Sequence, residues 1–442
     1  MAASVFDSAL YGRLFPTGEV ERLFTDNAEI RAMLLVEGAL ARAQGARGII
    51  PELSAAFIHR AAMELPLDPG AMAEATGENG VSVPALVAAF RKEMKAPEHA
   101  QYAHWGATSQ DISDTGLMLR LRQALTLLET DARATLDALA TLAETHAQLP
   151  MAARTYGQHA TPTSFGAVAA GWGQPLLGLR AELDTLRRDC LLVSLSGAAG
   201  TAGALGPEAA ALRADMAAAL GLTDPGRSWH ADRTPILRLA DWCVRLTLAL
   251  GKLGEDATEL VMSGIGEITL GGAGASSTMP QKQNPVAPSV LIALAKQAGG
   301  LMATLHSAAL PRHQRDGAAW FTEWLCLPQI ALSAAAAVTT AKGLAQGIAP
   351  VPEAMTAALE RGLDMIHAEA MSFALAQNLP RPEAQAAVKA LCKEAMATNT
   401  PLRALVARDY PRVDLSVFDP AQQLGQAPAD ARAFARAVRA LG

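Results

Sequence analysis

The chain has 442 residues, of which 50% are hydrophobic, 18% charged and 5% aromatic, and its formal net charge is −6. That length exceeds one ordinary compact core, so several domains or one elongated one are expected. The acidic balance argues against a duplex-binding surface, and no nucleic-acid partner is expected; a carboxylate-binding site can still be locally basic.

The four cysteines, Cys190, Cys243, Cys326 and Cys392, are far apart and never form C-x-x-C. This spacing speaks against a zinc site or a disulfide scaffold and suits a reducing compartment. The opening MAASVFDSALYGRLF lacks a basic run followed by an apolar one, so no signal peptide is expected and the cytoplasm is the expected location. Residues 324–341 carry no charge and approach membrane-spanning length. Pro328, Gln329, Ser333, Thr339 and Thr340 interrupt them, so a buried bundle helix is predicted and no membrane partner.

In chain order, FTDNAEIRAMLLVEGALARAQ predicts a helix from about Asp26, with Met33, Val36 and Leu40 on one face. Glycine and proline then punctuate the chain to about residue 110, which reads as a small helical N-terminal domain. From Asp111, Leu117, Leu121, Leu125, Leu128, Ala132, Leu139 and Leu142 recur at spacings of three, four or seven, as one helix face requires. Thr108 and Ser109 offer N-capping hydroxyls just before it. A second long pattern runs through Ile236, Leu239, Cys243, Leu246, Leu250, Leu253 and Ala257, with Arg238, Asp241, Arg245, Lys252, Glu255 and Glu259 opposite. A third helix is predicted after Pro288 and a fourth after Pro328. Helices of this length suggest an intermolecular bundle. No alternation extends far enough to predict a sheet. The fold class is therefore all-α, in three helical domains: 1–110, a central long-helix bundle over 111–350, and 351–442.

Gly264-Ile265-Gly266 and Gly272-Ala273-Gly274 lack the third glycine and preceding strand of a dinucleotide fingerprint, and Gly251-Lys252 lacks P-loop spacing. The informative stretch is GGAGASSTMPQKQNPV, residues 271–286. Glycine and small residues suit a mobile loop. Pro285 restricts Asn284 and favours a helix start beyond it. Lys282, Asn284 and backbone N–H groups can together hold a carboxylate that gains charge during reaction. A nearby serine, Ser276 or Ser277, can exchange a proton with the adjacent carbon. A plain linker would explain the glycines but not two serines, a lysine and an asparagine packed together.

SSTMPQKQNP resembles the signature loop of the fumarase/aspartase superfamily. HWGATSQDISDT (residues 104–115) and RTYGQHATPTSFG (residues 154–166) resemble its other two active-site regions, in the same order and at similar spacing, so the likeness spans nearly the whole chain. Within the superfamily it is greatest to the carboxymuconate cycloisomerase branch, on HWGATSQD, the N-terminal helix and RDGAAWFTEWLCLP (residues 315–328).

The resemblance implies a homotetramer whose active sites are shared between subunits, a small polycarboxylate substrate, no cofactor, and an intramolecular lactonisation, with a C–N lyase reaction such as that of adenylosuccinate or argininosuccinate lyase as the alternative; Ser276, Lys282 and Asn284 together speak against a non-catalytic descendant. It assigns Ser276, Ser277, Lys282 and His159 to catalysis. It assigns His104, Thr108, Ser109, Gln110, Arg154, Gln158, Asn284 and Arg315 to substrate binding. His230, in SWHADR, fits a site role and a turn cap equally well. None of the nine histidines shows H-E-x-x-H spacing, so no metal site is predicted. The chain departs from the superfamily pattern at Tyr156, where many lyases have a histidine, and at Ala275, where glycine is usual. The stretch 76–84 also lacks a histidine that several lyases place there.

Overall fold

The structure, a computed structural model, describes residues 4–272, 274–275, 279 and 282–441. Helices dominate. The first long one, α1 (Asp26–Ala46), starts where the sequence predicts, with Thr25 Oγ1 accepting from the Ala28 N–H. α2 (Val83–Glu93) follows among shorter helices. Then come five long helices: α3 (Ser109–Thr145), α4 (Phe165–Cys190), α5 (Thr234–Leu260), α6 (Val286–His306) and α7 (Gly317–Gly347). Shorter helices fill the chain beyond residue 351, among them α8 (Arg381–Thr398) and α9 (Ala427–Arg439).

The apolar stripes bury as their spacing requires. Leu121, Leu125, Leu128 and Leu139 of α3 and Ile236, Leu239, Leu246 and Leu253 of α5 are all at most 4% exposed. On the polar face of α5, Arg245 makes a two-pronged pair with Glu182 and Arg238 reaches Asp189. Gly254 of α5 has a packing reason: a Cβ there would lie 2.7 Å from the Pro288 carbonyl oxygen of α6, so the two helices meet backbone to backbone.

Two expectations change. The helix expected after Pro328 begins at Gly317 and runs through that proline. Proline removes one helix hydrogen bond, yet Ile330, Ala331 and Ala334–Val338 are so deeply buried that packing outweighs the loss. A strand pair also forms where none was expected. β1 (Pro150–Thr155) and β2 (Gln158–Ser164) make an antiparallel hairpin with a bulge between Ala152 and Arg154. Its two turn residues, Tyr156 and Gly157, have φ of 53° and 71°, the conformation that matches strand twist in a two-residue loop. The other strands are dipeptides: β3 (Ile268–Thr269) pairs with β6 (Ala349–Pro350), and β4 (Gly274–Ala275) with β5 (Gln283–Asn284).

Val286–Ala309 and Gly317–Gly347 are each long and apolar enough to cross a membrane by length and composition. In the second, 67% of the most apolar window is buried within the protein, the situation of a core helix.

Contacts divide the chain into two units. One comprises Met1–Asp131, Leu179–Leu248 and Ala293–Thr339; the other comprises Ala132–Gly178, Ala249–Ile292 and Thr340–Gly442. Each division falls inside one of α3–α7, so every long helix contributes to both. The first unit has a core of Met33, Leu34, Leu40, Ile58, Leu86, Phe90, Ile112 and Leu212, among others. Burying one side chain such as Phe90 contributes roughly 1.5–3 kcal/mol. The second unit has a core of Met371, Leu375, Val388, Leu391, Val406 and Phe418.

Candidate active site

In the first unit, the turn before α3 carries His104 and Thr108, and Ser109 and Gln110 are the first residues of α3. His104 and Gly106 both have positive φ, 62° and 75°. A Cβ on Gly106 would lie 2.8 Å from Leu205 and 3.0 Å from the Ala204 carbonyl, so only glycine fits the turn.

The turn is held by a residue that sequence reading left unassigned. Asp111 is fully buried. Its Oδ2 accepts from the Thr108 and Gly197 N–H groups at 3.0 and 2.9 Å; its Oδ1 accepts from Ser196 N–H at 2.8 Å, His230 Nε2 at 2.9 Å and Ser194 Oγ at 3.2 Å. One carboxylate thus ties together HWGATSQD, the SGAAG loop and SWHADR. It also caps α3 by reaching back to Thr108. The Thr108 hydroxyl, expected to be the cap, accepts instead from Arg315 Nη2 at 3.2 Å. Gly197 is in the positive-φ region and its N–H serves Asp111, which accounts for one of the loop glycines.

Arg315 also donates through Nε to Gln110 Oε1 at 2.9 Å and through Nη2 to the Ala198 carbonyl at 3.3 Å. Gln110 in turn donates to the His230 carbonyl and to Asp114. Thr108, Gln110 and Arg315, expected together, are in contact, and Ser109 stands half-buried beside them. A fixed guanidinium beside a helix N-terminus is an anion site. Beneath it, Arg233 lies between two buried carboxylates, at 2.8 and 3.0 Å from Asp114 and 2.6 and 2.7 Å from Glu323. Burial works against the Arg233 charge, but the two carboxylates outweigh it and hold its pKa above the usual value. Gln110, His230, Arg233, Arg315, Trp320 and Glu323 line a small pocket here.

His104 pairs with Glu37 of α1, Nδ1 to Oε1 at 2.6 Å. Burial pulls the imidazole pKa down, but the hydrogen bond to Glu37 and its charge prevail, so the pKa is raised. The pair with Glu37 therefore favours the protonated imidazole.

In the second unit, Arg154 on β1 faces His159 on β2. Both Arg154 Nη atoms sit 2.8 Å from the carboxylate of Glu267, whose side chain is fully buried. The fork expected to hold substrate is thus engaged within the chain, and its Nε takes no partner among the described residues. His159 is exposed; residual burial, then the charge of Arg154, lowers its pKa, so the neutral imidazole is favoured. Gln158 is exposed, its amide donating to the Gly157 carbonyl at 3.3 Å. Tyr156 at the turn is wholly exposed.

Ser276 and Ser277 lie outside the described residues. Strands β4 and β5 flank them, pairing Ala275 with Gln283 and Gly274 with Asn284. A Cβ on Gly274 would meet Val286 at 2.6 Å. Lys282 is exposed, with its N–H on the Met279 carbonyl at 3.0 Å, and Asn284 is half-buried.

Sequence reading missed Glu37, Asp111, Asp114, Arg233, Glu267 and Glu323. A signal existed for Glu37, which falls between Met33 and Leu40 on the predicted apolar face at helical spacing. Among the described residues, no group of three or more His, Cys, Asp or Glu side chains is placed to hold a metal ion.

A profile of the family described as Lyase matches residues 17–300. The chain is 37% identical to a 3-carboxy-cis,cis-muconate cycloisomerase of Pseudomonas aeruginosa, over 95% of this chain and 94% of that one. It is 36% identical to a nitrosuccinate lyase of Streptomyces davaonensis, over 96% and 94%. Among solved structures it matches 3-carboxy-cis,cis-muconate lactonizing enzyme from Pseudomonas putida with a TM-score of 0.91 and 35% identity, covering 98% of this chain and 99% of that one. Fold, motifs and full-length similarity agree: the chain belongs to the lyase family of the fumarase/aspartase superfamily.

Proposed function

We propose that the chain interconverts 3-carboxy-cis,cis-muconate and its carboxymuconolactone, an intramolecular lactonisation in the protocatechuate branch of aromatic catabolism. The observation that carries this reading is the end-to-end similarity to cycloisomerases in both sequence and structure. It is supported by the tyrosine at position 156, which leaves the lyase acid–base histidine absent. Lactonisation needs no external nucleophile, because the substrate supplies its own carboxylate.

In the forward step a carboxylate oxygen bonds to the far carbon of a conjugated double bond. The displaced electron pair moves onto the carboxylate conjugated to that bond, which becomes enediolate-like. Lys282, Asn284 and loop N–H groups stabilise this charge. Ser276, with Ser277 as the second choice, donates a proton to the carbon beside it and is reprotonated from solvent. A serine hydroxyl needs help for this, and Lys282 and the loop dipoles supply it. His159 orients substrate or relays the proton. Arg315, Thr108, Ser109 and Gln110 hold a carboxylate whose charge barely changes, His104 a second one, and Gln158 adds a donor. Arg154 contributes one contact through Nε while its fork anchors the hairpin on Glu267. No cofactor enters the chemistry.

We also propose a cytoplasmic homotetramer with active sites built from several subunits. Along the chain, 1–110 and 351–442 serve as flanking domains to the 111–350 bundle. The long helices and the wholly exposed Tyr156 support this assembly.

The test is a spectrophotometric assay with 3-carboxy-cis,cis-muconate, adenylosuccinate and nitrosuccinate in parallel. Turnover of the first alone is expected. Turnover of either succinate compound with none of carboxymuconate overturns the proposal.

A further inference from the structure

In the middle of α1, among Met33, Val36 and Leu40, the chain places a glutamate that is 1% exposed. An ionised carboxylate inside a protein is costly unless paired and fully hydrogen-bonded. Glu37 is half satisfied: Oε1 bonds His104 Nδ1 at 2.6 Å, and Oε2 is buried with no partner among the described residues. A glutamine would fill the same space without a buried charge. Stability alone therefore gives no reason for the acid.

We propose that Glu37 is a positioning residue that fixes the His104 ring and keeps both of its nitrogens protonated, so that Nε2 can donate to a substrate carboxylate. This deepens the reading above and rests on its assignment of His104 to substrate. A neutral imidazole donating from Nδ1 to Glu37 would present Nε2 as a bare acceptor, which repels a carboxylate. Only the imidazolium donates on both sides, and a buried carboxylate at 2.6 Å is what favours it.

The geometry around the pair is built for this. Seven residues along the same face of α1, Gln44 is also fully buried and donates to the Trp105 carbonyl at 2.7 Å. Two buried polar side chains of one helix thus brace consecutive residues of one turn, and His104 holds a φ of 62° there. Backbone strain of this kind persists where the surroundings over-determine it. The charged groups acting on the ring are Glu37 from α1, Asp111 from the start of α3, and Arg91 from α2. Burial and Arg91 oppose the positive ring; Glu37, then Asp111, favour it and prevail. Arg91 is itself tied to the Ala103 carbonyl at 2.7 Å.

The experiment combines Glu37→Gln and Glu37→Asp in the full-length protein with three readouts: NMR titration of the His104 ring, thermal unfolding, and the pH dependence of KM for carboxymuconate. In the wild type, His104 titrates above the ordinary histidine range. In Glu37→Gln its titration moves to lower pH, Tm measured above the raised pKa is unchanged or higher while the extra stability of the charged pair at lower pH is lost, and KM rises by roughly tenfold at pH values where the variant's ring has lost its proton. Glu37→Asp keeps the charge on a shorter stem and recovers part of both shifts. If His104 titrates identically in wild type and Glu37→Gln, Glu37 does not hold the charge and the proposal fails. A shifted titration with an unchanged KM profile equally overturns it, since His104 then meets no substrate carboxylate. Should Glu37→Gln not fold, a wild-type ring titrating at or below the ordinary value overturns the idea by itself. The NMR readout needs no substrate, so failure of the proposed reaction would show separately, as absent wild-type turnover.

Discussion

Asp111→Asn exchanges one carboxylate oxygen for an NH2 group with almost no change in volume. The structure makes that exchange expensive. Oδ2 accepts from the N–H groups of Thr108 and Gly197, and Oδ1 from Ser196 N–H, His230 Nε2 and Ser194 Oγ. Turned with its NH2 in the Oδ2 position, the amide faces two backbone donors; turned the other way it faces the Ser196 N–H, while the Ser194 hydroxyl and the His230 ring nitrogen can switch to accepting. Each buried donor left without an acceptor costs about 1–3 kcal/mol. The amide takes the less costly orientation, so the substitution should destabilise the first unit by roughly 1–3 kcal/mol, a sizeable share of an ordinary domain's total stability. It should also loosen the Thr108–Gln110 helix start and the SGAAG loop together, and Arg315 contacts both. Urea unfolding followed by tryptophan fluorescence, with Trp229 on the Val193 carbonyl nearby, reads the first effect; steady-state kinetics read the second. A loss below about 1 kcal/mol with unchanged KM would refute the view that Asp111 organises this region.

Lys282→Met should lower kcat by roughly 10²–10³-fold with a smaller change in KM, because the lysine is assigned to charge that develops in the transition state; Arg315→Met should show the opposite balance. An effect of Lys282→Met on KM alone would make it an ordinary anchor. Ser276→Ala should cost about 10²–10⁴-fold in rate while circular dichroism stays unchanged; full activity there, with loss in Ser277→Ala, transfers the role to the neighbour. Arg154→Met leaves Glu267 buried without its partner, so it should lower stability by about 3–5 kcal/mol as well as raise KM, and a purely kinetic effect would contradict the pairing. The folded-state pKa of His104 lies above its unfolded value, so the stabilisation from its pair with Glu37 is full below the ordinary histidine pKa and is lost as pH rises through the raised one. Stability of His104→Gln relative to wild type, measured across that window, should converge at high pH.

The long helices were legible because their apolar residues recur without interruption over many turns. In α5 the spacings alone place the buried face correctly, and in α3 they do so at Leu121, Leu125, Leu128 and Leu139, while Leu117, Ala132 and Leu142 are half-buried. Pro328 was misread because a local rule against proline in helices competes with the burial of Ile330–Val338, and the latter is a property of the packed protein. The hairpin at 150–164 was missed since Tyr156-Gly157 lacks the usual Asn-Gly signal and both strands contain proline. The loop residues proposed for the site, Lys282 and Asn284, were legible because they sit in a recognisable motif. The residues that orient the site were not. Asp111, Glu267 and Arg233 act through partners up to 119 residues away in sequence, and nothing in local spacing announces such pairings.

The most direct measurement of the central claim is lactonisation in deuterated water. The purified chain is mixed with 3-carboxy-cis,cis-muconate, the loss of diene absorbance is followed, and the product is examined by NMR. The account predicts a carboxymuconolactone carrying one deuterium on the carbon beside the carboxylate that became enediolate-like, because a serine in exchange with solvent delivers that proton. No loss of the diene, with fumarate released instead from adenylosuccinate or nitrite from nitrosuccinate, would contradict it.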